Sequence, residues 1–169
     1  KENKLVLRVV DITEISAVVA AAGVLVGVAY YILDMRNQTK LRQSDLLMRM
    51  HLAFSSRERC DATLKMGSAN YEDFDDFVKK YGHPFAEGPV QTEFLMMSMF
   101  FEGIGVLAKK KLVDIDLVAE LFSVNLVWEK VKPMAEGLRK QFNTPKIYEW
   151  FEYLSNETKE RQYPPLKTA

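Results

Sequence analysis

The sequence predicts an all-α chain: one N-terminal transmembrane helix continues into a long stalk helix and packs with a small cytoplasmic helical bundle. Residues 15–33, "ISAVVAAAGVLVGVAYYIL", carry no charge over nineteen positions. From Asp34 to Met66 no Pro or Gly interrupts the chain. The remainder alternates apolar residues at helical spacing with cap and breaker signals, and it holds no strand run or hairpin signal. A chain of 169 residues is normally one domain.

The span comes first, at 12–34, after an N-terminal flank 1–11. Nineteen helical residues rise about 28 Å, close to the roughly 30 Å of a bilayer's hydrocarbon layer. Nine of them are Ile, Val or Leu, each favouring the bilayer centre by about 0.3–0.6 kcal/mol. Tyr30 and Tyr31 stand at the C-terminal end, where amphipathic rings favour headgroups. Asp11 and Glu14 precede the run, and Asp34 and Arg36 follow it. A buried core helix of this length would carry polar residues along one side. A signal peptide would have a shorter apolar core and a small-residue cleavage site. Arg36, Lys40, Arg42 and Arg49 follow the run, against Lys1, Lys4 and Arg8 before it. That bias, the single cysteine Cys60 and the large C-terminal part place residues 34–169 in the cytoplasm.

One side of the span is distinctive. Ser16, Ala20, Gly23 and Gly27 recur at spacings of four, three and four, which puts them on one helical face. Small residues let backbones approach closely in lipid, so this face is the candidate seam of a homo-oligomer. Asp34 and Asn37, in the polar collar "DMRNQTK", extend it and form the candidate mouth of an axial pore. Leu41, Met48 and Leu52 carry the face onward. The stalk, 35–66, is expected to be continuous with the span, as one helix from about Ile12 to about Lys65, until Gly67 breaks it in "GSAN".

A soluble helical domain, 67–163, and a tail, 164–169, complete the expected organisation. Asn70 is an N-cap signal before "YEDFDDFVKKYG", whose acids lie near the favourable N-terminal end of the helix dipole. The run "PVQTEFLMMSMFFEGIGVLAKK" is apolar on most of its circumference and is expected to form the central core helix. Asp114 caps "IDLVAELFSVNLVWEKVK", Pro133 marks the start of another turn, and Thr144-Pro145 opens a last amphipathic helix that Pro164-Pro165 ends. Leu95, Met99, Ile104, Leu107, Leu117, Leu121, Trp150 and Leu154 are expected to share one core.

Lys plus Arg and Asp plus Glu are equal at 23 each, so the chain as a whole has no nucleic-acid signature. The charge is uneven, with a net +3 over 34–66 and −5 over 67–102. His51 and His83 are the only histidines. On a continuous helix His51 and Cys60, nine apart, lie half a turn out of phase and share no metal. Glu93 and Glu102, also nine apart, fall on opposite faces, and Glu102 is expected to meet a helix terminus or a basic partner. The two glycines of "EGIG" read as close helix packing. Met96, Met97 and Met99 read as core filling. No phosphate loop, nucleophile elbow or paired-cysteine motif occurs. The chain is therefore expected to be no enzyme, with no cofactor and no metal. Asn37-Gln-Thr39 and Asn156-Glu-Thr158 match the glycosylation pattern, which arises often by chance.

The join "YYILDMRNQTKLRQSDLLMR" at 30–49, "FFEGIGVLAKKKLVDIDLVAELF" at 100–122, "WEKVKPMAEGLRK" at 128–140 and "WFEYL" at 150–154 together resemble a family of small membrane-anchored domains of unknown function found in archaea and bacteria. The resemblance implies one N-terminal span plus an all-helical cytoplasmic domain, and no activity or functional residue. Two functions are then open. One is a membrane-anchored homo-oligomeric assembly protein, with an axial pore as a further possibility; its partners are membrane lipid and further copies of itself. The alternative is a membrane-tethered accessory or signalling module that binds a protein partner and has no pore.

Overall fold

The structure, a computed structural model, describes residues 12–162. The flank 1–11, the tail 164–169 and the Pro164-Pro165 helix end lie outside the described residues. The described residues form seven α-helices and no strand. The chain divides into two units, with the boundary between Arg42 and Gln43.

The first helix, α1, spans Ile12–Phe54. The helix expected to reach Lys65 ends here instead. Ser55 and Ser56 turn the chain, and Ser56 caps α2 (Arg57–Ser68) by accepting a hydrogen bond from the Arg59 amide at 3.4 Å. Serine hydroxyls offer the backbone a partner outside the helical ladder, so the break needs neither Pro nor Gly. The stalk boundary moves with it. The compact C-terminal unit begins at Gln43 rather than at 67, because Leu47 is fully buried and Met50 and Phe54 pack on the same core.

Helix α3 spans Phe74–Tyr81, and its cap is Asp73 rather than Asn70; the Asp73 carboxylate accepts from the Asp76 amide at 2.8 Å. Helix α4 spans Gln91–Lys109. Helix α5, Ile115–Leu121, is capped by Asp114 as expected, with bonds from the Asp116 and Leu117 amides at 2.9 and 3.4 Å. Helix α6 spans Val124–Gln141, and Pro133 lies inside it rather than at a start. Proline cannot donate to the ladder, but Val131, Met134, Ala135 and Leu138 around it are all buried, and that packing holds the helix together. Helix α7, Glu149–Gln162, begins later than the Thr144-Pro145 signal suggests, after Tyr148 at φ 55°.

Helix α4 is central. It packs against α2, α6 and α7; α7 also meets α5 and α6, and α3 lies on α6. Phe94, Met97, Phe101, Ile104 and Ala108 of α4 are buried at spacings of three and four, a single apolar stripe. Phe101 stacks on Phe151 with ring centroids 5.0 Å apart, and Trp128 meets Phe151 edge-on, also at 5.0 Å. Of the expected core, Ile104 and Leu154 are fully buried, and Leu107, Leu117 and Leu121 are half-buried against it. Trp150 is half-buried. Leu95 and Met99 are 38% and 63% exposed, because they fall on the side of α4 away from the stripe.

Candidate membrane span and association face

Every residue from 15 to 33 is exposed. By length and composition α1 can cross a membrane, and its most apolar eighteen-residue window contains no buried residue. Ser16, Ala20, Gly23 and Gly27 are all exposed. A Cβ added at Gly23 or Gly27 would meet no atom within 4 Å. The groove that the small residues leave is therefore unfilled by the chain's other described residues.

At about 100° per residue, Ser16, Ala20, Gly23, Gly27 and Asp34 fall within one narrow arc of α1, and Asn37 lies about 60° to its side. Asp34 is half-buried, and its carboxylate accepts from the Gln38 side-chain amide at 2.8 Å, one turn along. Asn37 is exposed. Leu41, Met48 and Leu52 extend the arc and are 70%, 45% and 67% exposed. The opposite side of the helix behaves differently. Leu47 is buried, and Met50 and Phe54 pack against the core. Beyond Arg42, α1 thus uses one side for its own chain and leaves the other uncovered.

Several chemically suggestive groups of the C-terminal unit have local partners. Glu102 accepts from the Phe151 amide at 2.8 Å, so it meets the N-terminus of α7, as the sequence suggests. Burial pushes its carboxyl above the usual carboxylate range, and the Phe151 and Trp150 amides pull the other way. Next to it, a Cβ at Gly105 would come within 2.1 Å of the Trp150 carbonyl oxygen, so "EGIG" is a close helix contact at its second glycine. Glu93 pairs with Lys65 at 3.0 Å. His83 lies in a loop, with its Nε2 3.0 Å from Gln141 Oε1. Thr158 is fully buried and donates to the Leu154 carbonyl, so the second glycosylation triplet is closed in the folded chain. Met97 fills the core, but Met99 does not.

One arrangement was hidden by the assumption of a continuous helix. The turn at Ser55-Ser56 brings His51 and Cys60 to the same cavity, about 440 Å³, together with Phe54, Phe101, Phe122 and Val127. His51 Nδ1 is buried there without a hydrogen-bond partner, and its ring lies edge-on to Phe122 at 5.5 Å. The serine pair followed by Glu58 in the first turn of α2 was the available signal. Among the described residues, no three or more His, Cys, Asp or Glu side chains are grouped to hold a metal ion.

A family model described as "Domain of unknown function (DUF4760)" matches residues 17–158. The chain belongs to that family. No curated protein and no solved structure matches it.

Proposed function

We propose that this member of the DUF4760 family is a membrane-anchored protein that assembles with further copies of itself along α1. The observation that supports this is the uncovered side of α1 from Ser16 to Leu52, in which Gly23 and Gly27 have open space over them. Lipid tails are as apolar as leucine, so within the bilayer association must come from close van der Waals approach, and small residues permit it. Beyond Asp34, burying Leu41, Met48 and Leu52 against a second copy adds about 25 cal/mol per Å² of apolar surface. In a ring of copies, Asp34 and Asn37 would line the mouth of an axial pore. The basic residues after the span support a cytoplasmic C-terminal unit. The resemblance to small membrane-anchored domains of archaea and bacteria fits the same reading, which assigns the protein no enzymatic role.

The mass of the detergent-solubilised full chain tests this. A closed multimer is expected, with Gly27→Leu shifting it toward monomer and Val26→Leu, on a neighbouring side, leaving it intact. A multimer that survives Gly27→Leu moves the seam into the C-terminal unit. An unmodified protein that is already monomeric leaves the tethered partner-binding module without a pore. Release by alkaline carbonate would remove the span itself.

A further inference from the structure

The turn at Ser55-Ser56 leaves the cavity of about 440 Å³ where the end of α1, α2, α4 and the start of α6 meet. All of its lining residues belong to the unit that begins at Gln43. Small-molecule sites span about 300–1,000 Å³, so the volume is of the right size for a ligand. The cavity has an apolar depth and a polar rim. Phe101, Phe122 and Val127 are buried and form the depth. Phe54 continues that wall, meeting Phe101 and Phe122 edge-on with ring centroids 5.6 Å apart in both pairs. Ser55, Cys60 and Ser123 are exposed and stand at the rim.

The polar groups around the cavity favour one charge of ligand. Among the described residues, no Asp or Glu lines it. Its polar side chains are hydroxyls, a thiol and the His51 imidazole. Thr63 spends its hydroxyl on the Arg59 carbonyl at 2.8 Å. Ser123 holds the N-cap position of α6, where a serine oxygen ordinarily accepts from the first-turn amides, yet its side chain makes no such bond. That helix end is the positive end of the α6 dipole. The His51 ring lies edge-on to Phe122, and its Nδ1 is buried with no hydrogen-bond partner. Buried polar atoms in folded chains are nearly always paired, so this one marks a group that the chain itself leaves unsatisfied.

We infer that this cavity binds a single-chain aliphatic carboxylate. The hydrocarbon tail lies against Phe54, Phe101 and Phe122, where burial drives it in. The carboxylate stays at the rim, accepting from the Ser55 and Ser123 hydroxyls beside the positive end of α6. Turning the imidazole about its Cβ–Cγ bond brings His51 Nδ1–H to the same carboxylate, the acceptor it lacks in the free chain. A cationic head would meet the positive helix end with no acid to hold it. The site needs neither a membrane span nor assembly along α1, so its failure and the failure of that reading are separate.

The test uses the full chain in phosphatidylcholine vesicles and follows alkylation of Cys60, the sole cysteine, by uncharged N-ethylmaleimide. A bound ligand covers the thiol at the rim. Octanoate at about ten times its dissociation constant should therefore slow labelling about tenfold, because only the empty site reacts. Octylammonium, with the same tail and the opposite charge, should give no saturable protection. Ser123→Asp keeps a favoured N-cap for α6 but sets a carboxylate at the rim, and it should abolish protection by octanoate. Ser123→Asn caps as well without the charge and should retain it. Equal protection by the two amphiphiles, or octanoate protection that survives Ser123→Asp, overturns the assignment of a carboxylate. Labelling indifferent to both amphiphiles overturns the site.

Discussion

Gly27 and Gly105 are both helical glycines, and the space over them is opposite. Over Gly105 the backbone of Trp150 occupies the place of a side chain, so α4 and α7 touch where a Cβ would stand. Over Gly27, and over Gly23 one turn earlier, nothing lies within 4 Å. Gly137 repeats the first case, with the Phe74 ring in its place. Gly105 and Gly137 of the C-terminal unit therefore stand at contacts already made, whereas both glycines of the apolar run of α1, like Gly67 and Gly103, have open space over them. The same residue type is explained by local packing at Gly105 and Gly137 and by no contact within the chain at Gly23 and Gly27.

The sharpest way to break this contrast is Gly105→Ala. Alanine gains about 1 kcal/mol in a helix interior, yet here its methyl must push backbone aside, and a net loss of about 2 kcal/mol is expected from denaturant unfolding. A gain in stability would mean that α4 and α7 are not in close contact. Glu102 comes next, since it closes the same contact by holding the Phe151 amide. Glu102→Ala leaves that amide unpaired and should cost about 1–2 kcal/mol, whereas Glu102→Gln keeps an acceptor and should cost less than about 0.5 kcal/mol near pH 4. The sign of the pH dependence follows from burial, which raises the folded carboxyl above its unfolded value. The folded chain holds the proton more tightly, so this group's contribution is largest below the unfolded value and declines as pH rises through the raised one. Glu102→Gln should therefore gain on the unmodified chain between about pH 4 and pH 7. A constant difference over that range would place Glu102 in water. The smallest effect belongs to the open glycine. Gly27→Leu should change the unfolding of the C-terminal unit by less than about 0.5 kcal/mol while altering the mass of the particle.

Much of this was legible from residues alone, and what was not has a physical cause. The uncharged run announces the long apolar helix because length and composition decide it. Asp114 reads as a cap because its side chain needs only the amides two and three residues on. Glu102 and the second glycine of "EGIG" are legible because a buried carboxylate and a bare backbone each demand a particular neighbour. The break at Ser55-Ser56 carried only the weak signal of a serine pair before Glu58, because serine caps a helix start without forbidding that a helix run through it. With that break unseen, the phase argument separated His51 from Cys60, and the structure places both on one cavity. Pro133 misled for the converse reason: four buried neighbours keep α6 whole across a residue that normally opens or ends a helix. Leu95 and Met99 show that an apolar sequence does not reveal which arc of a helix its neighbours cover.

The edge-on packing of Trp128 against Phe151 has an optical consequence. Both tryptophans, Trp128 and Trp150, belong to the unit that begins at Gln43, and the apolar run of α1 carries only Tyr30 and Tyr31 as chromophores of that class. Indole emission is then a colour tag that the chain already wears on one region alone. Trp128 is 4% exposed, so its light should shift to the red when the core opens, whatever the apolar run is dissolved in. Melting of the bundle can be followed in detergent or in lipid without a dye, and any change in oligomer mass that leaves this emission unmoved must arise outside the bundle's core.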